Sequence, residues 1–379
     1  MLRVALIGTG NIATMHLRAY LAFPERCKIV AVVDKFTENA HAKKAEYQLE
    51  EAEVYDSHQA LCERGDIDLV SICTPPFTHA DIAVDCMRAG MNVILEKPMA
   101  SSLEECDRIL AVQQETGRTL SPVAQNRFRT PVMNLKKLLE QDLIGRIHHV
   151  QVDSLWWRGL CYYDLWWRGT WQQEGGGCTL NHAVHHIDLL NWMMGLPREV
   201  TSVIANLAHD NAEVEDLSVS ILRYDHAVGQ VTGSVVHHGE AQQIVFQAEK
   251  ARVSYPFDVY ASISRENGFP TRDVETENKI RSAFQALPPL LHEGHTAQIE
   301  NVLYAIEHGR APLVTPREGR DTIELITAIY KSGSTGLPVS LPIGPDDPWY
   351  TVQGILAGAT RFHEKKTSVT RLGDGNITV

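Results

Sequence analysis

The chain has 379 residues, with 35 Lys and Arg set against 47 Asp and Glu, a formal net charge of -12. That length exceeds one ordinary domain and is enough for two, each with its own core. The acidic balance, with no concentrated block of Lys or Arg, excludes nucleic acid and anionic membrane surfaces as expected partners and leaves a small molecule.

Strand one is entered within three residues of Met1, so a signal peptide is not expected, and no apolar run approaches the ~20 residues of a membrane span. Residues 3–7, 29–33, 68–73 and 92–95 are Val/Ile-rich runs that alternate with helix-period segments. This alternation predicts a parallel sheet with helices on both faces over residues 1–122. Seven cysteines (27, 62, 73, 86, 106, 161 and 178) are odd in number and lack CxxC spacing, so reduced thiols and a cytoplasmic location are expected.

Directly after the first run, Gly8-Thr9-Gly10-Asn11-Ile12-Ala13 opens an amphipathic segment. Gly8 allows the tight turn, Gly10 lets backbone approach a pyrophosphate, and Ala13 lets the helix pack closely on its strand. The helix N-terminus offers free N–H groups to phosphates, so Gly8, Gly10, Asn11 and Ile12 are expected to contact a dinucleotide. The second run ends in Asp34, roughly 20 residues on, where an acid accepts hydrogen bonds from the adenine ribose. NAD is therefore favoured over NADP, because the acid repels a 2′-phosphate, with Lys35 beside it as the one opposing charge.

Beyond residue 122 the pattern changes to longer alternating segments, such as His148-Val150-Val152 and Ser218 through Val235, which read as an antiparallel sheet with one face on a core. Helical stripes follow at Ala297–His308 and Arg320–Lys331, read as packing, and Pro338–Pro342 reads as an edge strand. The expected class is therefore α/β plus α+β. A doubly wound parallel sheet precedes a domain (123–344) with a large open, mostly antiparallel sheet and helices on one face. Residues 345–379 are read as a tail packing on a neighbouring subunit. An open sheet with an apolar outer face predicts a homodimer or homotetramer.

Four landmarks occur in order: the Gly8 fingerprint, Cys73-Thr74-Pro75-Pro76 with His79, Glu96-Lys97-Pro98, and Gly175-Gly176-Gly177 leading into Asn181-His182-Ala183-Val184-His185-His186-Ile187-Asp188. With them the chain resembles the Gfo/Idh/MocA oxidoreductases, and its first domain their Rossmann unit. The resemblance implies that Thr74, Pro75, His79, Glu96, Lys97 and Gln125 border the cofactor, that Lys97 lies beside the nicotinamide and the reacting hydroxyl, and that Lys97-Pro98 is cis. It also implies that the His of the helix, here His185, takes the hydroxyl proton. Where the family usually has Asp this chain has Asn181, which can hold a hydroxyl but cannot act as a base, so base duty falls on His185, with its ordinary pKa near ~6.5.

Gln125-Asn126-Arg127 resembles the family segment that contacts nicotinamide and substrate, which makes Arg127 a substrate candidate. The repeat Leu155-Trp156-Trp157-Arg158-Gly159 and Leu165-Trp166-Trp167-Arg168-Gly169, followed by Thr170-Trp171, concentrates groups that stack on sugar rings and bind their oxygens. Trp167, Arg168 and Trp171 are the pocket candidates, while Trp156 and Trp157 read as core or subunit interface. His182 and His186 have zinc-ligand spacing, but Ala183 stands where a helical metalloprotease has Glu, so no metal is assigned. The expected activity is NAD-dependent oxidation of a secondary hydroxyl of a sugar, glycoside or cyclitol. A redox-assisted glycosidase and a non-catalytic NAD or sugar sensor are the rival readings.

Overall fold

The computed structural model describes residues 1–370. Its first sheet contains β1 (Leu2–Ile7), β2 (Cys27–Val33), β3 (Glu53–Tyr55), β4 (Leu69–Ile72), β5 (Asn92–Leu95) and β6 (Leu120–Pro122). Between them run α1 (Ala13–Leu21), α2 (Thr37–Glu46), α3 (His58–Cys62), α4 (His79–Arg88) and α5 (Leu103–Thr116). All pairings are parallel, in the order β3-β2-β1-β4-β5-β6. The order reverses between β1 and β4, and the crevice beyond the carboxyl ends of those strands is where such sheets take ligands. The expected runs form β1, β2, β4 and β5. Two short strands, β3 and β6, carry too few apolar residues to stand out in sequence.

The second sheet has β7 (Ile147–Leu155), β8 (Glu199–Ala205), β9 (Leu217–Arg223), β10 (Val228–Ser234), β11 (Gln242–Ala248), β12 (Ala251–Tyr255), β13 (Val259–Ser264), β14 (Pro270–Arg272) and β15 (Val339–Ser340). Their order is β14-β13-β12-β11-β7-β10-β9-β8-β15, and every pairing is antiparallel except the central β7–β10. The chain also forms α6 (Thr130–Leu139), α7 (Val184–Met194), α8 (Val274–Gln285), α9 (Gly294–His308), α10 (Pro316–Thr335) and α11 (Val352–Gly358). Burial alternates along β8 and β9, and their open face shows Val203 (69 % exposed), Val219 and Ile221. Val203 pairs with Val219, so these side chains form one apolar strip.

Three local features carry the core. Helix α10 starts on a capping box, with Thr315 and Glu318 each satisfying the other's backbone N–H. The stripe Ile299, Val302 and Leu303 of α9 packs, as expected for a packing face, against Val4, Leu6 and Leu17 of the first unit. Residues 345–370, the described part of the expected tail, pack on their own chain. Trp349 and Ile355 are buried, Val369 bridges to Leu165, and the backbone of Lys366 and Thr367 donates to Asn211. The apolar residues of this segment are matched by a surface on its own chain. The rest of the tail lies outside the described residues. No helix among the described residues is long and apolar enough to cross a membrane, and all seven cysteines are free.

Candidate active site

The glycine-rich turn forms as its residues require. Gly8 has φ +91°, and a Cβ there would lie 2.7 Å from the Cys73 carbonyl oxygen, so both conformation and close approach demand glycine. At Gly10 the opposite holds. A Cβ would meet nothing within 4 Å, yet the residue sits exposed before α1, so the room spared serves an approaching ligand rather than the fold. Asp34 ends β2 and accepts hydrogen bonds from the Thr9 backbone and hydroxyl and from the Phe36 N–H. The turn, the start of α1 and the acid therefore form one rigid unit that fits a dinucleotide. Ile12 is half-buried at the helix start, while Asn11 and Lys35 are exposed.

At the end of β4, Thr74 and Pro75 lie half-buried beside Gly8. His79 is fully buried, with Nδ1 2.9 Å from the Pro98 carbonyl and Nε2 2.8 Å from the Thr74 carbonyl. This corrects the expectation of a cofactor contact, because both ring nitrogens are used inside the fold, tying Thr74 to the turn after Lys97. The Lys97-Pro98 peptide is cis.

Glu96 is likewise turned inward. One carboxylate oxygen lies 2.9 Å from His16 Nε2 and 3.6 Å from His295 Nε2, and the other accepts the Lys97 N–H. His16 in turn meets the Ser71 hydroxyl, which also pairs with Tyr20. Burial works to raise Glu96, but the two imidazoles hold its carboxyl well below its ordinary range. Glu96 thus fixes the base of Lys97 from below. Among the described residues, His16, Glu96 and His295 are the one group of ligand-type side chains whose atoms converge, within 4.8 Å. His182 and His186, whose spacing drew attention in the sequence, belong to no such group among the described residues. His186 bonds Ser154 and Asp188 pairs with Arg127.

The glycine loop and the following helix are placed by a residue the sequence did not single out. Glu215, buried, accepts from the Gly177 and Thr179 N–H groups and from the Tyr330 hydroxyl, all within 3.0 Å. A Cβ on Gly177 would come within 1.9 Å of the Glu215 carbonyl oxygen, so no other residue fits there. Residues Thr179–Ala183 form a π-helical turn before α7. Such turns widen a helix locally and often lie at functional sites. Asn181 donates from Nδ2 to the Gly176 and Gly177 carbonyls, so its side chain closes the loop and keeps its Oδ1 as an acceptor.

Lys97 and His185, 88 residues apart in sequence, line one cleft of about 410 Å³ with Pro122, Asn126, Asp188 and Thr322 among its walls. Neither side chain has a hydrogen-bond partner among the described residues, and both are half-buried. Burial lowers the Lys97 ammonium, opposed chiefly by Glu96. Burial and then the Lys97 charge push His185 well below its ordinary value. Gln125 sits half-buried at the crossover with Oε1 unpartnered.

Two substrate candidates are elsewhere. Arg127 is 0 % exposed, bidentate to Asp188 at 2.9 and 2.7 Å and bonded to Glu318 at 2.6 Å, so it is a structural pin and not a substrate ligand. Trp171 is core, edge-on to Tyr330 and donating to the Thr360 carbonyl. Trp167 is half-buried, with the Arg168 guanidinium 4.2 Å from its ring. Trp156, read as core or interface, packs against the edge of the core and on His182, while Trp157 is exposed on His238. Periodicity ranks residues by face, and these tryptophans follow an irregular loop where faces have no period.

Residues 2–123 match the model of an oxidoreductase family with an NAD-binding Rossmann fold, and residues 136–341 match that family's C-terminal alpha/beta domain. The chain belongs to the Gfo/Idh/MocA oxidoreductase family. Among relatives, a 1-carboxy-3-chloro-3,4-dihydroxycyclo hexa-1,5-diene dehydrogenase of Comamonas testosteroni is 27% identical over 64% of this chain, which spans 60% of that protein's length. The myo-inositol 2-dehydrogenase of Thermotoga maritima is 23% identical over 87% of this chain and 96% of its own. The structure resembles that of the WlbA dehydrogenase from Bordetella pertussis in complex with NADH and UDP-GlcNAcA. That match has a TM-score of 0.76 and 29% identity, and covers 90% of this chain and 99% of that one.

Proposed function

We propose that this protein is an NAD-dependent dehydrogenase acting on a secondary hydroxyl of a sugar, glycoside or cyclitol. The observation that carries it is Lys97 and His185 facing one cleft at the carboxyl end of the first sheet, both half-buried and both without a hydrogen-bond partner among the described residues. The turn from Gly8 to Ala13 would hold the pyrophosphate and Asp34 the adenine ribose, with Thr74, Pro75 and Gln125 along the path inward. NAD, when bound, supplies the hydride acceptor. His185, kept neutral by burial and by Lys97, removes the hydroxyl proton. Lys97 polarises the same oxygen, and Glu96 anchors the lysine's backbone. Asn181 accepts a neighbouring hydroxyl at Oδ1. Asp34 disfavours a 2′-phosphate, and the seven free cysteines fit a reducing cytoplasm.

A spectrophotometric screen of inositols, hexoses, their acids and glycosides with NAD and NADP in parallel tests this reading. Stoichiometric NADH formation with at least one of them, and a preference for NAD, is expected. Oxidation that runs only with NADP would refute the role given to Asp34, and binding of NAD without turnover of any sugar would refute the enzyme.

The pH dependence follows from the His185 shift. A depressed imidazole keeps its base form as pH falls, so the acid limb of kcat/KM should lie below pH ~6.5. A limb at or above that value in the pH profile would mean that the base is a solvated histidine or another group. The reading also includes an assembly in which a second copy covers Val203, Val219 and Ile221. Light scattering should give a dimer or tetramer, and Ile221→Lys should lower it; a monomeric wild type contradicts this.

A further inference from the structure

Beside Lys97 and His185 lies a second group of buried polar atoms that the proton transfer does not use. His182, on the π-helical turn just before His185, is 7 % exposed and its Nδ1 is buried with no hydrogen-bond partner. Arg168 is 8 % exposed, and although its Nη1 holds Glu174 at 2.9 Å, its Nε is also buried without a partner. One aromatic ring joins them. Tyr162 lies 4.2 Å beneath the Arg168 guanidinium and 5.7 Å from the His182 ring, with Trp156 5.8 Å from that same imidazole. After burial, the charges that act on His182 are those of Arg158, Arg168, Lys97 and His185, and Lys97 acts on His185 as well, so this group lies within electrostatic reach of the two cleft residues.

The chemistry of these atoms selects a ligand. A guanidinium Nε can only donate, and a buried donor without an acceptor is costly, so native folds rarely keep one without a reason. A neutral imidazole whose two nitrogens are both free of protein partners can present N–H at Nδ1. Two donors flanking one ring, with the Arg158 guanidinium 5.4 Å from Trp156 and 5.7 Å from Tyr162, suit two oxygens carrying a shared negative charge. Glu174 does not oppose this, because burial pushes its carboxyl up to about 7 against the pull of Arg168, and it can take a proton when a second carboxylate arrives.

We propose that Arg168 Nε and His182 Nδ1, over the ring of Tyr162, bind a carboxylate on the substrate, which makes that substrate a hexuronate or a glycoside of one. His182 is then a specificity-determining residue. The proposal rests on the reading that the cleft takes a sugar, and deepens it by naming the sugar's class.

Calorimetry on the full chain loaded with NADH separates the two readings, since the reduced cofactor permits binding without turnover. D-glucuronate, D-galacturonate and D-mannuronate are titrated against D-glucose, D-galactose and D-mannose. At least one acid should bind ten-fold or more tightly than its neutral counterpart. His182→Leu should cut that ratio about ten-fold while leaving NADH affinity unchanged, and Arg168→Lys, which keeps the charge but removes Nε, should cut it too. Equal binding of acid and neutral sugar, no binding of any acid, or a ratio unchanged in His182→Leu overturns the proposal. An acid bound with the expected preference but never oxidised by NAD overturns the dehydrogenase reading alone.

Discussion

Replacing Lys97 by Met, or His185 by Ala, is expected to lower kcat by ~10²–10⁴-fold, the range that a positioned proton-transfer group supplies. The two side chains share a cleft in which neither has another partner, so neither replacement leaves a buried group stranded. Thermal stability and NAD affinity, followed by cofactor fluorescence, should therefore stay near wild type. The double variant should be little worse than the more damaged single one, because groups that act on one oxygen fail together. Stopped-flow or steady-state assays on the best substrate from the screen give the answer. Near-normal turnover in both single variants would remove these residues from the chemistry.

Replacing Arg127 by Met is expected to destabilise the fold by about 3–5 kcal/mol, the usual cost of breaking a buried ion pair from one side. Arg127 joins three elements: the crossover segment, α7 through Asp188 and the start of α10 through Glu318. Its guanidinium also lies over the Trp192 ring at 5.2 Å. Removing it leaves Asp188 as a buried charge on the helix that carries His185, so activity should fall along with stability. Adding Asp188→Leu to the variant should recover part of the loss, because the stranded charge goes with it. Denaturant unfolding of the single and double variants measures both values. A loss below about 1 kcal/mol would mean that Asp188 and Glu318 find other partners, and the pin assigned here would not exist.

The parts of the site that are local in sequence were legible in it. The tight turn at Gly8, the open side of Gly10, the acid closing the second strand and the lysine closing the fifth all follow from the short-range geometry of a strand feeding a turn. The residues that seat them come from far along the chain, and this is where expectation and structure part. Glu215 clamps the glycine loop across 38 residues, His295 faces Glu96 across about 200, and Tyr330 reaches the Gly177 N–H across 153. Nothing in a helical or strand period marks such partners. Arg127 and His79 illustrate the converse case. Both stand in segments that border the site, but a buried side chain is used by whatever acceptor lies nearest, and for these two the acceptors are internal.

The aromatic stretch gives the clearest division. Seven tryptophans, five of them between residues 156 and 171, announce a recognition surface by composition alone. Where each of them packs was decided by the loop's path. Trp171 went to the core on Tyr330, while Trp156 and Tyr162 went to His182.

By itself, then, the sequence determined the class of the first fold and its dinucleotide-binding turn, and it singled out the two residues proposed here to handle the proton, because each is written in contiguous residues whose backbone demands are local. Tertiary structure alone decided that Lys97 and His185 share a cleft, that Glu96 is held charged between two imidazoles, and that His182 and Arg168 keep unpaired donors beside them. Those outcomes depend on burial and on distances between segments, and the free energy of a charge or a hydrogen bond is set by its surroundings, not by its neighbours in the chain.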